Sequence, residues 1–268
     1  ISRPFAPVVV RHRIINTILL HTKKQQLMEK LFSLVKTIFT AERMLVSATC
    51  EESEIPAVTQ ASAALKNVLY VPDQPGKNRS MPSYPLAKKN EGFMDASQVQ
   101  YVARAGNYVR HGFSYHGALR ILKVIMGYDY LWINIRVKGG AYGCMCHFSR
   151  TGDAGFVSYR DPHLKRTLEV YEQAADYLEH LELDEQALTG LIISTIGSVD
   201  HPRGAYDEGR MAFSALMTGV TDEMRQKSRE EIIDCTVEDL RALAAHVRAV
   251  VDSHAICVVG NAGKIEES

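Results

Sequence analysis

The chain has no excess of charge of either sign: its 268 residues carry 31 Lys and Arg against 31 Asp and Glu, a formal net charge of zero. Without a positive field nothing gathers a polyanion, so nucleic acid is not an expected partner. Long hydrophobic runs are also missing, because charges break every apolar stretch well short of the roughly 20 residues that a membrane-spanning helix needs. No membrane partner is expected, and the reading is of a soluble chain. Cysteine is scarce and odd in number: Cys50, Cys144, Cys146, Cys235 and Cys257 form a widely spread set, unlike a disulfide framework and compatible with a reducing compartment. The ten histidines include no HxxEH or HxxxH helix, which excludes helical zinc ligation within the chain. There is no GxSxG elbow, and Gly260-Asn261-Ala262-Gly263 lacks the Lys-Ser/Thr tail of a phosphate loop. An initiator Met, a basic leader and an apolar leader core are likewise absent from the start, Ile1-Ser2-Arg3-Pro4. We read the chain as a piece of something longer.

What is present is ample core material, 46% hydrophobic residues, enough for one domain or one and a half. Leu27, Leu31, Leu34, Val35 and Ile38 share one helical face, a short strand is expected over Met44–Cys50, and a second helix from about Pro56 to Leu69. Pro72, Pro75, Gly76, Asn78, Pro82 and Pro85 then crowd together, as in an exposed linker. A domain boundary is placed there: 1–71 as one part, 72–90 as linker, 91–268 as the second part. Beyond it, Gln98–Ala105 alternates like a half-buried strand. A helix is expected from about Tyr115 to Gly127, and a hairpin of Tyr142–Phe148 with Gly155–Tyr159 around the turn Thr151-Gly152-Asp153. Asp161-Pro162 reads as N-cap and first residue of a helix whose Leu164, Leu168, Tyr171, Ala175 and Leu178 share a face. Helices dominate from there. Asp184 caps one that runs to about Ile196, Thr236 with Asp239 approximates a capping box, and Leu240, Leu243, Ala244, Val247 and Val251 form its core stripe. Ala255–Val259 closes the chain as a buried strand. Lacking regular βαβ alternation, the pattern predicts an α+β fold with an antiparallel sheet packed with helices.

The segment with the most chemistry is Tyr130–Gly143. It places a permanent cation, Arg136, and a phenol, Tyr142, on either side of Gly139-Gly140. Arginine offers several donors in a planar fork and a tyrosine hydroxyl donates without adding charge, so both suit a developing oxyanion. Glycines can end a helix in left-handed geometry and let another backbone approach. The plain alternative is a surface salt bridge, a packed tyrosine and an ordinary turn. Period alone conflicts here: Leu131, Ile133, Ile135 and Val137 alternate as in a strand, while Leu131 and Ile135 also fit a helical stripe. Cys144, Cys146 and His147 could attract a soft metal, but nothing completes a tetrahedral shell, and small buried side chains in a sheet are the better reading. His111 and His116 could line a cleft. The run Ile192–Pro202 reads as a buried helix ending at a loop, where Asp200 and His201 could face a chamber or simply support packing.

Leu131-Trp132 to Gly143, Ser158-Tyr159-Arg160-Asp161-Pro162, Ile196–Pro202 and Cys257–Gly260 together resemble the C-terminal half of the presequence-protease branch, subfamily C, of the M16 (insulinase-like) zinc metallopeptidases. The resemblance covers nearly the whole chain, and IRVKGGAYG stands intact, followed by Cys144 where the family usually has a further glycine. It implies an M16-like α+β domain at 91–268, preceded at 1–71 by the end of another such domain. It also implies a helix through Leu131–Lys138 into the glycine turn. By the same resemblance, two halves of one protein close around a peptide-sized chamber. Arg136 and Tyr142 stabilise the transition state there, Gly139, Gly140 and Ala141 bind substrate, and the absent N-terminal half supplies zinc and base. No metal site and no cofactor are expected within this chain, which alone should be inactive. The implied partners are a peptide and the N-terminal half, with a bacterial cytoplasm as the expected compartment and an organelle as the alternative. Severed from the other half, the chain is expected to expose an apolar surface through which two copies could pair. The competing class is a non-catalytic M16-like scaffold or peptide-binding module.

Overall fold

In the computed structural model, residues 6–8, 24–71 and 90–267 are described. The chain divides into two compact units, one formed by residues 1–10, 86–201 and 222–268 and the other by residues 11–85 and 202–221. The helices in chain order are α1 (Lys24–Ile38), α2 (Ile55–Val68), α3 (Ala118–Ile125), α4 (Lys165–Glu172), α5 (Ala174–Glu179), α6 (Glu185–Val199), α7 (Ala205–Thr218), α8 (Asp222–Ile233), α9 (Val237–Ala242), α10 (Ala244–Asp252) and α11 (Ala262–Glu266). Among them α1, α2 and α7 belong to the second unit.

The first unit is an α+β domain on a six-stranded sheet. Its strands are β1 (Ala6–Val8), β2 (Glu91–Asp95), β3 (Gln100–Asn107), β4 (Gly143–Phe148), β5 (Asp153–Asp161) and β6 (Ala255–Asn261), in the spatial order β1-β2-β6-β3-β5-β4. The antiparallel expectation holds for β6-β3-β5-β4, where β4 and β5 form the anticipated hairpin. The sheet as a whole is mixed, because β2 joins β6, and β1 joins β2, in parallel.

The sheet is two-sided in character. On β3, Gln100, Val102 and Arg104 point inward and are buried, whereas Tyr101 between them points outward and is half exposed, as the two-residue period requires. Val259 and Met145 share that outward side through the cross-strand register. On the inner side α3 buries Ala118, Leu119, Ile121, Leu122 and Ile125. The stripe Leu240, Leu243, Ala244, Val247 and Val251 is buried as its spacing predicts. Each fully buried Leu, Ile or Val of this kind contributes about 1.5–3 kcal/mol. Leu164, Tyr171, Ala175 and Leu178 are buried with them, and Leu168 packs against the cluster. Asp184 accepts from the Ala187 N–H at 2.7 Å, and Thr236 with Asp239 forms the full reciprocal capping box.

Arg104 ties this core together. Its guanidinium is wholly buried, with Nε and Nη2 donating to the Val251 carbonyl at 3.1 and 2.7 Å and Nη1 to Glu172 at 2.8 Å. One side chain of the sheet thus holds the last turn of α10 and the end of α4.

Several local expectations are corrected. Asp161 ends β5 instead of capping a helix: α4 begins at Lys165, and the buried Asp161 carboxylate accepts from the His163 N–H at 2.9 Å and the Thr167 hydroxyl at 2.7 Å. Strand β6 is not fully buried, since Cys257 and Val259 lie on the exposed side. Helix α6 buries only Thr195, and Ile193 is 66% exposed. Strands β1 and β2 were not anticipated; both are short, and β2 includes a glycine.

In the second unit, α1 and α2 form as expected, with Thr40 and Tyr70 joined by an isolated parallel bridge. The apolar face of α1 carries Leu27, Leu31, Leu34, Val35 and Ile38, which are between 40% and 55% exposed. Residues 44–50 form no strand. The Pro-rich linker falls almost wholly at 72–89, outside the described residues.

Candidate active site

The conflict over Leu131–Lys138 resolves as helix. Leu131 and Ile135 are buried, while Ile133 and Val137 are 39% and 62% exposed, which no strand alternation would produce. Behind α3 the helix widens into two π-helical stretches, Met126–Tyr130 and Trp132–Val137, closed by bonds such as Lys138 N–H to the Ile133 carbonyl at 2.9 Å. Within the wider turn the Arg136 guanidinium lies 4.6 Å from the Trp132 ring centroid, a cation–π contact between residues four apart.

The glycine pair ends this helix. Gly140 takes φ +76°, and its N–H donates to the Arg136 carbonyl at 2.9 Å while that of Ala141 donates to the Ile135 carbonyl at 3.1 Å. These nested bonds are each one residue wider than in a Schellman cap, which the π-helical pitch explains. A Cβ on Gly139 would stand 2.4 Å from the Ile135 carbonyl oxygen, so glycine alone fits. Ala141 is buried. The N–H groups of Gly140 and Ala141 are therefore engaged inside the turn, and its visible effect is to reverse the chain and deliver Tyr142.

Tyr142 stands at the mouth of the β4–β5 hairpin, its N–H donating to the Arg160 carbonyl at 3.3 Å. Its side chain is 58% exposed. Around the ring lie the Arg136 and Arg160 guanidiniums, each 5.5 Å from its centroid, and the Tyr159 ring at 5.6 Å and 59°. Gly143 makes room for Tyr159: a Cβ there would come within 2.5 Å of the phenol. Neither Arg136 nor Arg160 has a carboxylate within ion-pair distance among the described residues. The arrangement is an exposed phenol flanked by a half-buried and an exposed cation, without a neutralising acid among the described residues. It can receive a carbonyl oxygen or an anion.

Arg136, Tyr142 and the Gly139–Ala141 turn are thus contiguous. The remaining sequence candidates are not. Cys144 and Cys146 point inward while His147 is exposed, and burial pushes the two thiols up to about 11 and about 12, with Asp161 raising Cys144 further and Arg136 opposing it. Such thiols stay protonated near neutrality and are poor metal ligands. No group of three His, Cys, Asp or Glu among the described residues is arranged to hold a metal ion. His111 is exposed in a short turn, and His116 accepts from the Ala118 N–H at 3.2 Å. Asp200 pairs with Arg229 at 2.6 Å, and His201 is exposed. Trp132 and Arg160 were not assigned roles from sequence; the four-residue spacing from Trp132 to Arg136 was a readable signal, whereas Arg160 stands inside the Ser158–Pro162 segment with nothing local to say which way it points.

The raised thiols carry a pH consequence. A thiol whose folded pKa lies above the unfolded value, 9.0 for Cys146 against about 12, favours the fold fully below the unfolded value and loses that contribution as pH rises toward the folded one. Urea midpoints should therefore fall from about pH 8 to about pH 10.5, less steeply in Cys146→Ala. An equal slope in the variant removes Cys146 from the effect.

This domain has the fold of an M16 peptidase domain. A crystal structure of a peptidase M16 inactive domain from Pseudomonas fluorescens superposes with a TM-score of 0.52 at 16% identity, covering 79% of this chain and 51% of that one. A protease from Helicobacter pylori does so with a TM-score of 0.51 at 14% identity over 75% of this chain and 52% of that one. At finer grain, residues 90–263 match the family model of the PreP C-terminal domain, and the chain belongs to that family. Protein HypA of Clostridium perfringens is 39% identical over 92% of this chain, and presequence protease 1, chloroplastic/mitochondrial, of Arabidopsis thaliana is 32% identical over 86% of it. The chain spans only 25% and 21% of the lengths of these relatives. No helix among the described residues is long and apolar enough to cross a membrane.

Proposed function

We propose that this chain is the C-terminal portion of a zinc-dependent peptidase of the presequence-protease type, with Arg136 and Tyr142 acting on the scissile carbonyl of a bound peptide. The observation that carries the reading is the guanidinium of Arg136 lying 5.5 Å from the ring of the exposed Tyr142, with no acid among the described residues paired to it. As the carbonyl carbon becomes tetrahedral its oxygen gains negative charge, and donors aimed at that charge hold the transition state more tightly than the ground state. Arg136 supplies a fixed positive charge and Tyr142 a hydroxyl donor; the Gly139-Gly140-Ala141 turn keeps them together and lies beside the peptide. In this reading 91–268 is the C-terminal M16-like domain, 72–90 a linker and 1–71 the end of a preceding domain. In the same reading zinc and the base belong to the N-terminal half of the full-length protein; among the described residues of this chain no group of three His, Cys, Asp or Glu is arranged to hold a metal ion. A bacterial cytoplasm is the proposed compartment.

The full-length protein carrying this chain should hydrolyse unstructured peptides, lose that activity to a chelator and regain it with zinc. A well-folded full-length protein that binds peptides without cutting them would establish the scaffold reading instead.

A further inference from the structure

The β3–β5 ladder holds an irregularity beside Tyr142. Ser158 pairs with Val102 and Asp161 with Gln100, so the two residues Tyr159 and Arg160 on β5 oppose the single residue Tyr101 on β3. Ser158 and Asp161 are both buried on the inner side. In a regular strand the next residue after the outward Tyr159 would turn inward, toward the helices. A bulge inserts one residue and re-aims its side chain. Here Arg160 takes φ +49°, a left-handed backbone that side-chain-bearing residues avoid, and its guanidinium emerges exposed, 5.5 Å from the Tyr142 ring. Tyr142 and Arg160 are also joined directly through the backbone, N–H to carbonyl, at 3.3 Å.

Two cations on one exposed phenol, with no carboxylate among the described residues paired to either, leave a positive site larger than a carbonyl oxygen requires. We infer that Arg160 is a substrate-binding residue that takes a carboxylate of the peptide next to the bond held by Arg136 and Tyr142. Arginine suits that task because its planar fork meets both carboxylate oxygens at once. The inference rests on the peptidase reading for its location and adds the substrate class: peptides bearing an acid near the cleaved bond. The acid could be a Glu or Asp side chain or the peptide's own C-terminus.

The test uses the full-length protein and three matched peptides: one with a glutamate beside the cleaved bond and a free C-terminus, one with that Glu replaced by Gln, and one amidated at the C-terminus. Arg160→Asn removes the cation and keeps a side chain that tolerates left-handed backbone; Arg160→Lys keeps the charge without the fork. In Arg160→Asn, KM for the acidic peptide should rise about tenfold, the worth of one charge-assisted contact, with kcat and the KM of the matching neutral peptide within about twofold. Arg160→Lys should recover part of the loss. Whichever neutralised peptide abolishes the wild-type preference identifies the carboxylate. Equal losses on every peptide, or an unaltered preference, would overturn the inference. Anisotropy of the same labelled peptides reads the preference in binding alone, so wild-type turnover in Tyr142→Phe would end the catalytic reading while leaving this one to stand or fall by its own result.

Discussion

Changing Tyr142 to Phe in the full-length protein should lower kcat about a hundredfold to a thousandfold and move KM by no more than about twofold. The substitution is unusually clean. Phe keeps the ring, and with it the contacts to Arg136, Arg160 and Tyr159 at 5.5, 5.5 and 5.6 Å. Only the hydroxyl goes, from a side chain that is 58% exposed, so the fold loses little. A donor that tightens on the oxyanion and not on the planar carbonyl contributes to kcat and not to KM. Turnover at the wild-type rate would take Tyr142 out of the reaction. A loss confined to KM would make it a binding residue.

The second large effect concerns stability. Arg104→Ala should destabilise the first unit by about 3–5 kcal/mol, the usual result of truncating a large, wholly buried side chain together with its buried hydrogen bonds. Truncation would empty the space of a wholly buried side chain and take from the Val251 carbonyl the two guanidinium donors at 3.1 and 2.7 Å, leaving it the His254 N–H at 3.1 Å. His254 would lose its contact as well: Nη2 lies 3.1 Å from its Nδ1, and since a guanidinium only donates, Nδ1 accepts and the ring hydrogen sits on Nε2. The ion pair itself is the smaller part, because Glu172 is 54% exposed and screened by water. Urea unfolding should accordingly show Glu172→Gln costing under about 1 kcal/mol beside the larger loss in Arg104→Ala. Comparable costs for both would mean that the ion pair, and not the backbone carbonyl, is what the arginine serves.

How much of this could be read from letters depends on whether the cause is local. The stripe from Leu240 to Val251, the Asp184 cap and the Thr236–Asp239 box depend on neighbours within a few residues, and all appear as spacing predicts. Asp161-Pro162 has the chemistry of a helix start, yet the strand continues to Asp161 because its carboxylate finds the Thr167 hydroxyl and the His163 N–H from the strand end. The period of Leu131–Lys138 misleads because a π-helix turns less per residue than an α-helix, so neither simple template describes it. Arg136, Tyr142 and the glycines could be singled out by chemistry and by resemblance. Arg160 could not, because what aims it is the pairing of β5 with β3, a partner more than fifty positions away in the chain.

The π-helical stretch and the strand irregularity have one thing in common: each is a regular element accommodating a surplus amino acid, and the two surpluses meet at a single tyrosine. Relatives that keep every polar letter but are shorter by one position on either side would present arginines facing different ways. Loss of this constellation over evolutionary time should therefore register as gaps in an alignment before it registers as exchanged residues.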